Sequence, residues 1–203
     1  MSTKNPIEHL NKDRKLAKVI KRVGNFEIRV TKNKYESLVE AIITQQLSGS
    51  AAKSISTKFR ALYTTRFPKP IDVLTTPNSK LRKTGLSKMK VEYIKEISKK
   101  IESKELRLQK LPKLTDEEVV IELTKIRGIG RWTAEMFLIF TLGRMDVLPV
   151  GDLGLKKGIK KLHSMQELPT DEEMEKIAKK WRPYRTVATW YLWKSLQNFD
   201  TIG

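Results

Sequence analysis

Two groups of residues in the second half of the chain have types and a spacing suited to chemistry on a nucleic-acid backbone. Gly128-Ile129-Gly130 forms a short turn between two helical stretches. Two glycines permit a tight turn with positive φ, and the absence of side chains lets a phosphate approach the backbone N–H groups closely. Asp152 follows Pro149-Val150-Gly151, where proline and glycine fix the approach of the chain and direct the carboxylate one way. The pattern is typical of an enzyme that grips a phosphate and acts about one nucleotide away.

Each group also has a purely structural interpretation. Gly128–Gly130 could be a plain tight turn between packed helices, although the N-terminus of the following helix and the flanking Arg127 and Arg131 favour an anion. Asp152 could be only a helix N-cap, for which aspartate is a preferred residue. Both roles of Asp152 can hold at once, because the helix dipole favours a negative charge at that position.

The element between these groups is a strongly apolar helix that begins near Trp132. At a rise of 1.5 Å per residue, a helix of about a dozen residues keeps the turn and the carboxylate within one molecular face of each other.

Most of the remaining chain shows apolar residues at helical spacing. Phe26–Thr31 alternates briefly, but one short run cannot make a sheet. The fold class is therefore all-α, with about nine or ten helices. Besides the helix from Trp132, the sequence predicts helices over 12–23, 35–47, about 51–63, from the Thr76-Pro77 N-cap to Gly85, 88–101, 115–126, 170–181 and 184–196.

Composition limits the function classes. The 203 residues include 41 Lys and Arg against 23 Asp and Glu, which gives a net charge of +18. This balance favours a polyanionic partner, nucleic acid first and an anionic membrane surface second. The absence of cysteine excludes disulfides and cysteine-ligated metal centres. No signal peptide or membrane-spanning run is evident, so we expect a soluble intracellular protein, cytoplasmic in a prokaryote and nuclear in a eukaryote.

The central run LTKIRGIGRWTAEMFL, followed by DVLPVGDLGLKKGI, resembles the helix–hairpin–helix, Gly/Pro-rich loop and aspartate signature (HhH-GPD) of a DNA glycosylase superfamily. Within it the chain is similar to the alkylbase enzymes, the 3-methyladenine DNA glycosylase II family. ITQQLSGSAAKSI, TGLSKMKVEYI and WRPYRTVATWYLW resemble other parts of that family, so the similarity covers nearly the whole chain.

The resemblance implies a role for individual residues. Asp152 matches the catalytic aspartate, and the hairpin glycines match those whose amides bind a phosphate of the damaged strand. Gln46 matches the residue that enters the duplex where the nucleotide has flipped out, and Ser48 faces the minor groove. The DNA-binding residues expected from the resemblance are Gly128, Ile129, Gly130, Arg131, Thr133, Gln46, Ser48 and Lys88.

The resemblance also implies a base pocket and a cation. Trp132, Trp193 and Met136 match pocket positions, although packing in the core is the commoner role of a helical tryptophan. The position of Trp132 matches a lysine in the bifunctional members of the family that this chain resembles. Because this chain has tryptophan there, the resemblance implies a monofunctional enzyme. No cofactor is required; the backbone carbonyls of Thr124, Ile126 and Ile129 match those that hold a structural Na⁺ or K⁺. Met136 and Gly154 depart from the bulkier side chains of relatives, which leaves the substrate range open.

The expected architecture is a single HhH-GPD domain over residues 1–203. Two helical lobes, 36–142 and 1–35 plus 143–203, flank a DNA-binding cleft, with no N-terminal β domain. The expected function is base excision repair: flipping and hydrolytic release of alkylated bases from double-stranded DNA by a monomer. The alternatives are a glycosylase for deaminated, mismatched or oxidised bases and a non-catalytic helix–hairpin–helix DNA-binding protein.

Overall fold

A computed structural model describes residues 5–196, and every regular element in that range is helical. The twelve α-helices of the described range are α1 Pro6–Leu10, α2 Arg14–Val23, α3 Lys34–Thr44, α4 Gly49–Arg60, α5 Pro70–Thr75, α6 Asn78–Lys83, α7 Lys88–Glu102, α8 Asp116–Thr124, α9 Arg131–Phe140, α10 Leu153–His163, α11 Asp171–Ala178 and α12 Arg185–Leu196. Short 3₁₀ turns occupy Leu111–Lys113 and Lys179–Trp181. The predicted all-α class is confirmed, and Phe26–Thr31 forms no strand.

The helices differ from the predicted ones mainly at their ends. α3 ends at Thr44 rather than at Leu47, because Gln45 leaves the helical conformation and Gln46 takes a left-handed φ of 55°. Thr76 closes α5 and Pro77 caps α6, so the predicted N-cap at Thr76 was one residue too early. The short helices α1 and α5 were not predicted, because five or six residues are too few to show a helical period.

One compact unit contains the described residues up to Val30 together with those from Leu138 onward. Its central element is α12, in which every residue from Thr186 to Leu192 is buried. α2 and α10 pack against this helix. The shared apolar core includes Leu16, Ile20, Leu155, Ile159, Trp181 and Tyr191. This packing fixes α10, and therefore the residue at its N-terminus.

The second compact unit contains Thr31–Phe137. Here α7 packs against α3, α5 and α6, and α3 packs against α4. The largest fully buried side chains of this unit include Phe59, Leu38, Ile42, Ile43, Leu81, Ile94 and Ile97. α7 thus forms the central support of the unit that contains the 128–130 hairpin.

Among the described residues, none of the helices has the length and apolar character that a membrane span requires.

Candidate active site

The Asp152 carboxylate accepts two hydrogen bonds on its Oδ1. Asp152 is the N-cap of α10, and its Oδ1 accepts hydrogen bonds from the backbone N–H of Leu155 at 2.6 Å and from the indole Nε1–H of Trp193 at 2.7 Å. The Pro149 carbonyl receives the Asp152 N–H at 2.9 Å, which closes the turn before the cap. Two donors on the same oxygen fix the orientation of the carboxylate.

Gly154 leaves room for this arrangement. A Cβ at position 154 would lie 3.0 Å from Asp152 Oδ1 and 3.1 Å from Trp193 Cδ1, closer than side chains normally approach. A Cβ at Gly151, in the same turn, would meet nothing within 4 Å. The glycine at 154 therefore allows the indole to reach the carboxylate, whereas position 151 has free space.

Aromatic and sulfur-containing side chains form a stripe along α9. Trp132, Met136 and Phe140 are spaced four residues apart, which places them on one face of the helix. Phe140 stacks on Trp193, with ring centroids 6.0 Å apart and an interplanar angle of 20°. The indole of Trp193 is thus held between Phe140 and the Asp152 carboxylate. Its hydrogen bond orients that carboxylate, a role that the sequence did not predict.

Trp132 is not a core residue. Its side chain is 48% exposed, although it lies in the first turn of a helix whose next residues are buried. A tryptophan rarely keeps half of its surface in water, and its flat electron-rich face is suited to stacking on a base. Exposure therefore favours the predicted pocket role over core packing. Met136, one turn further along, is half-buried.

The two hairpin positions, 128 and 130, differ in why a glycine is suited to them. Gly128 has a φ of 87°, and a Cβ there would lie 2.3 Å from the ring of Tyr93 on α7. Gly130 has no positive φ, and a Cβ there would meet nothing within 4 Å. Only Gly128 therefore makes the turn possible, contrary to the expectation that both glycines serve it. The open space at Gly130 is where a ligand can approach the backbone.

The residues around the hairpin provide backbone donors. Ile129 is buried, and its N–H bonds the Ile126 carbonyl at 3.1 Å. The Gly130 carbonyl accepts the Ala134 N–H at 3.0 Å and so starts α9. The amides of the first helical turn have no acceptor within the helix and are suited to binding an anion. Thr133 is only 7% exposed, so its backbone N–H, rather than its buried side chain, is the group available for the predicted DNA contact.

The two arginines beside the hairpin are paired with carboxylates. Arg131 lies 2.6 Å from Glu117 and 3.7 Å from Glu135, and the Glu117 carboxylate is the main cause that raises the pKa of Arg131. Arg127 lies 2.7 Å from Glu96 on α7. These ion pairs offset part of the positive charge that the sequence suggested, so the predicted phosphate contact depends more on the backbone amides.

The loop between α3 and α4 contains Gln46, which is predicted to enter the duplex, and Ser48, which is predicted to face the minor groove. Gln46 is exposed and has a left-handed φ, a conformation that few non-glycine residues adopt. Ser48 is exposed too, and its Oγ caps α4 by accepting the Ala51 N–H at 3.4 Å. The preceding residue, Gln45, donates from Nε2 to the Gly128 carbonyl at 2.7 Å. This hydrogen bond joins the start of the loop to the 128–130 hairpin within one unit.

Lys88 lies apart from these contacts. It is the exposed first residue of α7, directly after the N-cap Ser87. Its predicted DNA contact would add a lysine charge at a helix N-terminus.

Four side chains that support the site are not predicted from the sequence: Gln45, Lys90, Tyr93 and Phe140. Nothing in the sequence marks Tyr93 or Phe140, because their partners lie 35 and 53 positions further along the chain, at Gly128 and Trp193. These contacts exist only once the helices pack.

The chain matches one family model over residues 39–183, described as HhH-GPD superfamily base excision DNA repair protein. Among curated proteins it is 36% identical over 193 residues to the alkylbase DNA glycosidase-like protein mag2 of Schizosaccharomyces pombe, which covers 92% of this chain and 91% of that protein.

Solved structures give the same result. The Schizosaccharomyces pombe 3-methyladenine DNA glycosylase Mag1, in complex with abasic DNA, superposes with a TM-score of 0.84 at 34% identity, over 97% of this chain and 99% of that one. The DNA-3-methyladenine glycosidase from Bacillus halodurans superposes with a TM-score of 0.86 at 38% identity, over 98% of this chain and 93% of that one.

Proposed function

The chain belongs to the HhH-GPD superfamily of base excision DNA repair proteins, and on that premise we propose that it is a DNA glycosylase for alkylated bases of the 3-methyladenine type. It hydrolyses the N-glycosidic bond of the damaged nucleotide in double-stranded DNA, and it is monofunctional. Relatives named 3-methyladenine glycosylases, one of them solved with abasic DNA, support this assignment. It acts on cellular DNA, in the cytoplasm of a prokaryote or the nucleus of a eukaryote.

One observation supports the chemistry most directly: the Asp152 carboxylate is fixed through Oδ1 by Leu155 N–H and Trp193 Nε1–H. We propose that its negative charge stabilises the oxocarbenium-like sugar that forms as the base leaves, as carboxylates do in glycoside hydrolysis. The same carboxylate orients or deprotonates the attacking water. Because its orientation is set before the substrate arrives, little reorganisation is needed during the reaction.

The leaving base makes a general acid unnecessary. Alkylation at a ring nitrogen gives the base a positive charge, so it departs as a neutral molecule without being protonated first. An electron-rich indole attracts such a cation by about 0.5–2 kcal/mol more than a neutral base. Trp132, with half of its surface exposed, is the proposed stacking surface for that base.

A base inside a duplex is unreachable, so the nucleotide must rotate out at a cost of a few kcal/mol. We propose that Gln46 fills the space left in the duplex, because it is exposed and held in a left-handed turn. The amides of the 128–130 hairpin and of the first turn of α9 then hold a phosphate of the same strand. The net charge of +18 attracts the duplex as a whole.

We propose further that the hairpin holds a monovalent cation through the backbone carbonyls of Thr124, Ile126 and Ile129. The donor set suits such an ion, since neutral carbonyl oxygens replace the hydration shell of Na⁺ or K⁺. Thr124 is the last residue of α8, where carbonyls lose their helical partners. The Ile126 carbonyl accepts the Ile129 N–H, and a carbonyl oxygen has a second lone pair that can bind an ion. The ion would supply positive charge next to the bound phosphate.

A release assay tests the proposed function. Duplexes that contain one 3-methyladenine, 7-methylguanine, 8-oxoguanine, uracil or mismatched base are incubated with the protein, and free base and abasic sites are measured separately from strand breaks. We expect release of the methylated purines, with strand breaks only after alkali. Release of only oxidised or deaminated bases would show that the enzyme has a different substrate class. Binding without any release would show that the protein is a DNA-binding protein and not an enzyme.

A further inference from the structure

A hydrogen-bond chain connects α7 to both elements that hold the DNA in the proposed function. The Lys90 Nζ donates to the carbonyls of Ile43 and Gln45, each at 2.8 Å. The Gln45 side chain then donates to the Gly128 carbonyl at 2.7 Å. All four residues belong to the unit Thr31–Phe137. A half-buried lysine is thereby linked to the phosphate hairpin through the residue that precedes Gln46.

The ammonium of Lys90 has the position of a C-terminal cap on α3. The last carbonyls of a helix lack intrahelical N–H partners, and the helix dipole makes that end negative. Burial lowers the pKa of Lys90. No carboxylate lies within ion-pair distance of it in the described part of the chain, so its polar partners there are the two carbonyls at this helix end.

The turn that Lys90 holds is an unusual one. α3 ends at Thr44, Gln45 is extended at φ −53° and ψ 131°, and Gln46 is left-handed. A left-handed non-glycine residue persists only where its surroundings hold it. The two carbonyls that Lys90 binds lie on either side of Thr44 and immediately before Gln46, so removal of the ammonium would release the loop at the point where it changes direction.

Other residues of α7 contact the 128–130 hairpin and its neighbour Arg127 directly. Tyr93, three residues after Lys90, packs against Gly128, where even a single Cβ would lie 2.3 Å from its ring. Glu96, three residues further, pairs with Arg127 at 2.7 Å. Residues spaced by three are neighbours on a helix surface. α7 therefore supports the 128–130 hairpin directly as well as through Gln45.

We propose that Lys90 is a positioning residue for base excision: it sets the distance between the loop that presents Gln46 and the hairpin that binds the phosphate. The inference rests on the proposed function, since it concerns how that reaction is supported. The residue contacts neither the base nor the phosphate in this account. Its removal should therefore lower the rate of excision and leave the affinity for undamaged DNA nearly unchanged.

The test compares Lys90→Met with Lys99→Met. Methionine keeps most of the aliphatic side chain at position 90 and removes the ammonium with its two hydrogen bonds. Lys99 is an exposed residue near the end of the same helix, so its substitution is a control that removes the same charge. We expect single-turnover excision of 3-methyladenine to fall between about 10-fold and 100-fold in Lys90→Met. Affinity for an undamaged duplex should match that of Lys99→Met, because neither ammonium binds a phosphate.

A fluorescence readout separates positioning from a general loss of structure. The signal of a 2-aminopurine placed beside the lesion rises as the neighbouring base leaves the stack. This rise should be reduced in Lys90→Met and unchanged in Lys99→Met, at a temperature where circular dichroism shows both variants to be folded. Lys90→Arg, which keeps a charged donor, should recover part of the rate even if Lys90→Met does not fold.

A double-mutant cycle with Gln45→Leu completes the test. Because Lys90 acts through Gln45, the effects of the two substitutions on the excision rate should be far from additive. Equal excision by Lys90→Met and Lys99→Met would overturn the inference, as would full additivity with Gln45→Leu. If the wild-type chain released no base, the proposed function itself would fail, and that outcome is distinct from both.

Discussion

Among single residues, Asp152 matters most to the proposed chemistry. Of the two roles that the sequence left open, the structure shows the N-cap of α10, and it shows a carboxylate whose orientation is fixed through Oδ1. The cap could be anticipated from Pro149, Gly151 and the residue type. The indole of Trp193 could not, because it approaches from a helix 41 positions away in the chain.

A pair of glycine variants tests this geometry. Gly154→Ala places a methyl group 3.0 Å from Asp152 Oδ1 and 3.1 Å from Trp193 Cδ1, so the indole or the carboxylate must move. We expect excision to slow by about tenfold, which corresponds to weakening one hydrogen bond to a charged group. Gly151→Ala, with open space around its Cβ, is the matched control and should be close to wild type. Equal rates in the two variants would mean that the spacing at 154 is irrelevant to catalysis.

For the helices, the sequence predicted most positions, and the structure adds that the helices after Thr115 and Thr170 each begin with a capping box. Hydrophobic periodicity specifies these elements because each buries one face. The end of α3 was placed three residues too late, since Gln45, the residue before the left-handed Gln46, is held by tertiary contacts with Lys90 and Gly128 rather than by local propensity. The side chains that support the site escaped prediction for the same reason.

The hairpin allows stability and binding to be separated. Gly128→Ala must place a side chain at φ 87° and against the Tyr93 ring, so we expect a loss of about 2 kcal/mol or more in the free energy of unfolding. Gly130→Ala meets no neighbour and should cost about 1 kcal/mol or less. Its methyl group nevertheless occupies the space where a phosphate would approach, so affinity for DNA should fall about tenfold.

Urea unfolding and fluorescence anisotropy with a duplex measure the two quantities. The hairpin account would be wrong if Gly130→Ala bound DNA as the wild type does, or if Gly128→Ala were as stable as Gly130→Ala.

For the whole molecule, we expect stability against acid to depend in part on a second aspartate that is bonded to a tryptophan. Asp13 caps α2, accepts the Trp181 indole N–H at 2.9 Å and pairs with Lys180 at 2.9 Å. Burial on its own would raise the pKa of Asp13, but the bonds from Trp181 and Lys180 outweigh it and the pKa is lowered below its usual 3.8. These contacts join the N-terminal helices to the segment between α11 and α12.

The sign of the pH dependence follows from that direction. A carboxylate whose folded pKa lies below its unfolded pKa contributes stability that is complete above the unfolded value and is lost as the pH falls through the folded one. The difference in unfolding free energy between wild type and Asp13→Asn should therefore be constant above about pH 5 and shrink as the pH falls below about 4. Urea unfolding between pH 2.5 and 7 measures it, and a difference that grew toward low pH would contradict the assignment.

We propose that Asp152 performs the chemistry rather than merely capping a helix. Asp13 is a matched control, since both residues cap a helix and accept an indole N–H, at 2.9 Å from Trp181 and 2.7 Å from Trp193. Asparagine keeps an oxygen for the cap at either position and removes the charge. The decisive measurement is single-turnover release of 3-methyladenine by Asp152→Asn and Asp13→Asn, at a pH and temperature where both are folded.

We predict that Asp152→Asn loses about three orders of magnitude in rate, roughly 4 kcal/mol of transition-state stabilisation, while its affinity for DNA is kept or increased. Asp13→Asn should release the base at nearly the wild-type rate, because its charge stabilises only the fold. Release by Asp152→Asn at a rate similar to that of Asp13→Asn would contradict the account and reduce Asp152 to a helix cap.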